Sequence, residues 1–80
     1  MSEQELIQLG FEKQTGEVEE NPFYYYTLDI DGLCFITQAN DDVENGEWVV
    51  EILDSPGIKF RDTKKLSTLI DILNNNYGKA

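Results

Sequence analysis

Hydrophobic and polar residues alternate along the middle of the chain with the period of two that is typical of β-strands. Asp31-Gly32 is the favoured pair for a two-residue type I′ turn, so it predicts a hairpin. Thr15-Gly16 and Asp54-Ser55-Pro56-Gly57 also have turn composition, and the polar segment Ala39–Gly46 reads as a loop. The predicted strands are Phe11–Gln14, Phe23–Ile30, Leu33–Gln38, Glu47–Leu53 and Ile58–Phe60.

The beginning of the chain has the signals of a short helix. Ser2 and Glu5 have the spacing of a capping box, and Gly10 is a natural stop. We therefore expect a helix over Glu3–Leu9. A helix of this length is not stable alone in water, so its apolar residues must dock on the rest of the fold.

A longer amphipathic helix is predicted near the other end. Asp62 is its candidate N-cap, and Asn74-Asn75-Asn76 and Gly78 should end it. The apolar stripe has the spacing of one helical face and consists of Leu66, Leu69, Ile70 and Leu73, broadened by Ile72 and Tyr77.

A two-residue turn fixes the register of the central hairpin, so that Ile30 faces Leu33 and Tyr26 faces Thr37. Alternation then defines two faces of the sheet. The inner face, which should form the core with the helices, carries Leu28, Ile30, Leu33, Phe35, Trp48, Val50, Ile52, Ile58 and Phe60, with Tyr24 and Tyr26 beside them. The outer face carries Phe23, Tyr25, Thr27, Ile36, Val49 and Leu53 among Asp29, Gln38, Glu47 and Glu51.

This pattern predicts an α+β fold: an antiparallel meander of four to five strands with the short N-terminal helix and the C-terminal amphipathic helix packed on one face. The 80 residues correspond to one small domain, 1–80, with no room for a deep, enclosed active site. The single cysteine allows no internal disulfide, and the first residues have no signal-peptide pattern. We expect a cytoplasmic protein, in the source cell or in a host cell.

Charge is strongly acidic and unevenly distributed along the chain. Residues 1–54 contain fourteen Asp/Glu against one Lys, a net charge of −13, whereas residues 55–80 have a net charge of +3, and the whole chain carries −10. Direct binding of nucleic acid is not expected, because phosphate contacts need a Lys/Arg patch. No segment is apolar over the length of a membrane span.

Few residues of the sequence suggest catalysis. The chain has no histidine, which excludes Ser-His-Asp and Cys-His catalysis and histidine-dependent zinc sites. Cys34 lies in mid-strand and reads as a structural residue. Asp41, Asp42 and Glu44 could bind a cation weakly, but a solvated loop explains them better. We expect no catalytic residue, no cofactor and no metal.

Three segments carry a resemblance: "LGF" after the first helix, the hairpin "FYYYTLDIDGLCFI", and "SPGIKFRDTKKLSTLIDILNNN". In these the chain resembles small uncharacterised acidic proteins of phages and other mobile elements. The resemblance implies a context in which small acidic proteins often bind host proteins and some mimic DNA. It supplies no activity and no functional residues.

The leading hypothesis is a non-enzymatic acidic protein that binds a basic surface of a protein partner, in its most specific form as an inhibitor that mimics DNA. There are two alternatives. One is a structural module that associates with a second copy through the outer sheet face, and the other is a small carboxylate- or metal-dependent hydrolase. The candidate partner-binding residues are Phe23, Tyr25, Asp41, Asp42, Glu44, Glu47, Val49 and Glu51.

Overall fold

Five antiparallel strands follow one another as a meander in the computed structural model, which describes residues 1–75. The strands are β1 (Glu12–Val18), β2 (Asn21–Ile30), β3 (Leu33–Thr37), β4 (Val50–Ile52) and β5 (Ser55–Phe60), and the helices are α1 (Glu3–Gln8) and α2 (Thr63–Asn75). A short 3₁₀ turn, Asn40–Asp42, lies between β3 and β4. The predicted α+β meander with a helix at each end is confirmed.

The helix signals are confirmed at the level of single bonds. In α1 the Glu5 N–H donates to Ser2 Oγ at 3.2 Å and the Ser2 N–H donates to Glu5 Oε1 at 2.9 Å, which is the complete capping box. Gly10 follows with a φ of 101°, a conformation that suits glycine. Within the described residues, neither helix is long and apolar enough to cross a membrane.

Helix α2 begins where the sequence indicates, because the Lys64 N–H donates to Asp62 Oδ1 at 3.0 Å. Leu66 and Ile70 are buried, Leu69 and Leu73 pack against the core, and Ile72 remains 48% exposed. The predicted end of this helix at Asn76 and Gly78, and the contribution of Tyr77, lie outside the described residues.

The first hairpin differs from the prediction, because Thr15 and Gly16 lie inside β1 and do not form a turn. The turn is Glu19-Glu20, whose φ values of 50° and 68° have the sign that a type I′ turn needs at both positions. Glutamate rarely adopts positive φ, so composition gave no hint of it. Gly16 instead lies under the ring of Phe23, because a Cβ at this glycine would be 2.5 Å from Phe23 Cζ.

The central hairpin is as predicted. Asp31 and Gly32 have φ values of 50° and 84°, and the register pairs Ile30 with Leu33 and Asp29 with Cys34. The backbone pairing of β2 with β3 ends at Thr27 and Ile36, and further along β2 side-chain oxygens accept the backbone N–H groups instead. The Tyr26 N–H donates to Thr37 Oγ1 at 3.0 Å and the Tyr24 N–H donates to Asn40 Oδ1 at 2.8 Å.

The last hairpin is less regular than the alternation predicts. Strand β4 is shorter than Glu47–Leu53, and the chain turns at Leu53-Asp54, so that Ser55 already belongs to β5. The register shifts between Glu51 and Ile52. This irregularity leaves Ile58 49% exposed, so its assignment to the inner face as a core residue was wrong.

One core lies between the inner face of the sheet and the two helices. Its buried hydrophobic residues are Met1, Leu6, Phe11, Tyr26, Ile30, Phe35, Trp48, Val50, Leu66 and Ile70. Leu28, Leu33, Ile52 and Phe60 pack against this cluster, as the alternation predicts. The aromatic rings of Tyr24, Tyr26 and Trp48 contact one another, with centroids 5.3 to 6.1 Å apart. The outer face is left without a covering layer in the described part of the chain.

Candidate interaction surface

The loop between β3 and β4 presents several of the predicted acidic residues. Within this loop a tight turn, with Asn45 at φ 54° and Gly46 at φ 71°, brings Glu44 and Glu47 opposite each other. The Glu47 N–H donates to the Glu44 carbonyl oxygen at 2.9 Å, which closes the turn. Both side chains therefore leave the same end of a small hairpin.

Two sets of contacts hold this loop against the body of the protein. The ammonium group of Met1 lies 3.2 Å from Glu47 Oε2 and donates to the Trp48 carbonyl oxygen at 3.1 Å. On the outer side, Gln38 Oε1 accepts the Val49 N–H at 3.0 Å, where the ladder between β3 and β4 has ended. The loop is thus anchored at the point where it rejoins the sheet.

A shallow groove crosses the outer face below this loop, and we call it the outer groove. It consists of two adjoining concavities of about 390 and 310 Å³. The residues that line both are Gln38, Asp42, Val49 and Arg61; Ile36, Thr37, Glu51 and Lys59 line the larger one alone, and Glu44, Asn45 and Glu47 line the smaller one alone.

The outer groove has an acidic end and a basic side. Asp42, Glu44 and Glu47 are exposed at the loop end. The basic side is formed by Lys59, which lies in β5, and by Arg61, which follows the end of that strand. Lys59 Nζ lies 3.6 Å from Glu51 Oε1, so this glutamate already has a cationic partner. A ligand of the outer groove would meet the carboxylates of Asp42 and Glu44 at the loop, the Glu47 carboxylate that already pairs with the Met1 ammonium group, and a guanidinium beside them.

Phe23 and Tyr25 form a separate feature of the outer face. Their rings stack with centroids 6.2 Å apart and an interplanar angle of 21°. Both side chains are half-buried, and the Phe23 ring covers Gly16 of the neighbouring strand. Covering a strand glycine with an aromatic ring is a structural role. Tyr25 is the member of the pair with no such role.

The structure therefore brings five of the eight predicted partner-binding residues into the outer groove. Asp42, Glu44, Glu47 and Val49 surround one end of the outer groove, and Glu51 lies at its other end. Asp41 is exposed on the 3₁₀ turn without lining the outer groove, and Phe23 and Tyr25 lie apart from it.

Gln38, Lys59 and Arg61 also line the outer groove, and they were not among the residues predicted for the site. Alternation places Gln38 and Lys59 on the outer face, which was a usable signal. Arg61 follows the end of β5, so no periodicity places it. Its position in the outer groove depends on how β4 and β5 pair.

The remaining candidates are Cys34 as a nucleophile and the acidic side chains as metal ligands. Burial, followed by the charge of Asp29, raises the pKa of the half-buried Cys34 thiol, which favours the unreactive protonated form at neutral pH. Among residues 1–75 no group of three or more Cys, Asp or Glu side chains is arranged to hold a metal ion.

Comparisons with protein-family models, with curated proteins and with solved structures found no match to this chain. The resemblance to phage proteins and the cytoplasmic location therefore stay predictions.

Proposed function

We propose that this chain is a non-enzymatic protein that binds a basic surface of a protein partner through the acidic end of the outer groove. The observation that carries the proposal is the arrangement of Asp42, Glu44 and Glu47 around one concavity that the half-buried Val49 also lines. An apolar side chain bordered by charged groups fits the apolar centre and polar rim of protein-binding surfaces.

The charge of the whole molecule supports this choice of partner. A net charge of −10 on a small domain accelerates encounters with a basic surface and repels nucleic acid. The exposed charges gain little from pairing within the chain, since exposed ion pairs contribute about 0–1 kcal/mol. They are therefore available to a partner that removes them from water.

Arg61 makes the expected partner more specific than a plain cationic patch. It lines the same concavities as Asp42, so a lysine or arginine that approaches the carboxylates also comes close to this guanidinium. Like charges disfavour that approach unless the partner brings an acceptor next to its cation. We expect a partner surface on which basic residues alternate with acidic or carbonyl groups.

A capture experiment with charge-reversed variants tests the proposal. The double variant Asp42→Lys/Glu44→Lys reverses two charges at the outer groove, and Glu19→Lys/Glu20→Lys makes the same change in net charge at the β1–β2 turn, whose residues do not line the groove. We expect a partner that the wild type and the turn variant retain at low salt, and that the groove variant does not retain. No captured protein at low salt, or equal loss in both variants, would contradict the proposal.

A further inference from the structure

Strand β1 forms one edge of the sheet, and the backbone N–H and C=O groups of every second residue along it point away from the sheet. The register pairs Glu12 with Thr27 and Val18 with Asn21 across a two-residue turn. In such a hairpin the residue pair next to the turn is hydrogen-bonded, and from there hydrogen-bonded and non-hydrogen-bonded pairs alternate along the strands. The N–H and C=O groups of Lys13, Thr15 and Glu17 therefore point away from β2, and in the described residues β1 is hydrogen-bonded to β2 alone.

The other exposed backbone of the sheet is protected. Along β2, Thr37 and Asn40 accept the N–H groups of Tyr26 and Tyr24, and Pro22, the next residue on that side, has no N–H. At the opposite edge, the pairing of β5 with β4 is irregular, since Glu51 pairs with Lys59 and Ile52 with Ser55. Side-chain covers, proline and irregular register are among the means by which proteins prevent edge pairing, and charged side chains on the edge strand are another. Strand β1 has seven residues, no proline and no positive φ.

We propose that two copies of this chain associate by antiparallel pairing of their β1 strands around a two-fold axis at Thr15. This register places Thr15 opposite its own counterpart and Lys13 opposite Glu17 of the second copy. All three outward-pointing residues then form hydrogen-bonded pairs, each of which exchanges two N–H···O=C bonds. The result is one continuous sheet with the helices of both copies on the same side.

Charge complementarity selects a second copy as the occupant. Lys13 is the only basic residue among the first 54, and it lies two positions from Thr15, as Glu17 does on the other side. Lys13 Nζ lies 4.1 Å from the Tyr24 ring centroid, which places it on the inner face, where the alternation also places Glu17. Opposite charges that face each other across strands stabilise pairing, and like charges destabilise it.

The overall charge opposes this association, which gives it a recognisable salt dependence. Two bodies that each carry −10 repel each other over about 10 Å at 0.1 M ionic strength. Added salt should therefore strengthen the dimer, whereas it should weaken binding to a basic partner. Strand β1 and the outer groove share no residue, so the two proposals can fail independently.

Amide exchange observed by NMR identifies the surface. On raising the protein concentration at moderate salt, we expect the amides of Lys13, Thr15 and Glu17 to exchange about tenfold more slowly as the dimer forms. The amides of Gln14 and Gly16, which already bond to β2, serve as the internal reference. A protein that stays monomeric at millimolar concentration and high salt, or a dimer that leaves these three amides unprotected, would overturn the proposal.

Charge reversal separates this register from a general effect of charge. Glu17→Lys places two lysines opposite each other and should raise the dissociation constant of the dimer about tenfold, although it lowers the net negative charge. Glu12→Lys makes the same charge reversal opposite Val18 and should leave the constant unchanged or lower it. The swap Lys13→Glu/Glu17→Lys should restore wild-type association. Equal effects of Glu12→Lys and Glu17→Lys in sedimentation equilibrium would exclude the register.

Discussion

The hydroxyl of Tyr26 donates a hydrogen bond of 2.7 Å to Glu3 Oε1, and this bond joins strand β2 to helix α1. The Tyr24 hydroxyl donates to the other oxygen of the same carboxylate at 3.1 Å. Tyr26 is only 2% exposed, so its hydroxyl has little access to water as an alternative partner. Helix α1 is too short to be stable alone and depends on such contacts.

Removing the carboxylate should cost more than removing the hydroxyl. Glu3→Ala leaves the buried Tyr26 hydroxyl without its acceptor, and we expect the free energy of unfolding to fall by about 1–3 kcal/mol. Tyr26→Phe removes the donor while Glu3 keeps its access to water, and should cost about 1 kcal/mol. Urea unfolding measures both, with the exposed Gln4→Ala as control. A Glu3→Ala protein as stable as that control would contradict the role of the bond.

The same contact sets an alkaline limit on stability. Burial, followed by the hydrogen bond to Glu3, raises the pKa of Tyr26 from 10.0 to about 12. The folded state thus holds this proton more tightly than the unfolded state, so the contribution is complete below pH 10 and is lost as the pH rises towards 12. Phenolate absorbance should show a late ionisation step that Tyr26→Phe lacks. A late step that persists in this variant would assign it to another residue.

Local turn chemistry explains which parts of the fold could be predicted. Asp31-Gly32 suits positive φ at both positions, so residue preference and structure agree. Glu19-Glu20 adopts the same turn against residue preference, because the pairing of β1 with β2 and the packing of Phe23 on Gly16 determine the register. Pairing and packing across the hairpin overrode the preference of the two turn residues, and sequence periodicity does not report these contacts.

The candidate site divides in the same way. Alternation alone places Val49 and Glu51 on the outer face, where they are found. The position of Arg61 beside Asp42 depends on a register shift between β4 and β5, which leaves no trace in the periodicity. The sequence thus predicted an acidic surface, whereas the structure shows an acidic surface with a basic side.

Glu5 should make the free energy of unfolding depend on pH in the acidic range. The Ser2 backbone N–H, followed by the Thr63 hydroxyl at 2.8 Å, lowers the pKa of this carboxyl group. Its contribution to stability is therefore complete above the ordinary pKa of glutamate, about 4.3, and is lost as the pH falls through the lower value of the folded state. Glu5→Gln should flatten the fall in stability in this range. The turn variant Glu19→Gln should retain it, and a wild-type slope in Glu5→Gln would exclude this source.

Gly16 should tolerate no side chain while Phe23 lies on it. In Gly16→Ala the new Cβ would approach the Phe23 ring to 2.5 Å, and we expect a loss of about 1–3 kcal/mol in the free energy of unfolding. Gly57→Ala is the matched control, because nothing lies within 4 Å of a Cβ there. In Gly16→Ala/Phe23→Ala the clash is absent, so the double variant should lose less than the sum of the single changes. Additive losses would show that the ring is not the obstacle.

Thr37 should stabilise the fold through its hydroxyl group and not only through the volume of its side chain. Its Oγ1 accepts the N–H of the buried Tyr26 at 3.0 Å, where β3 no longer supplies a carbonyl partner. Thr37→Val keeps the volume but leaves that N–H unpaired, which should cost about 1–3 kcal/mol. Thr37→Ser keeps the acceptor and should lose less than the valine variant. Urea unfolding compares the three proteins, and exchange of the Tyr26 amide should be faster in Thr37→Val alone. Wild-type stability and exchange in Thr37→Val would mean that another acceptor replaces the hydroxyl.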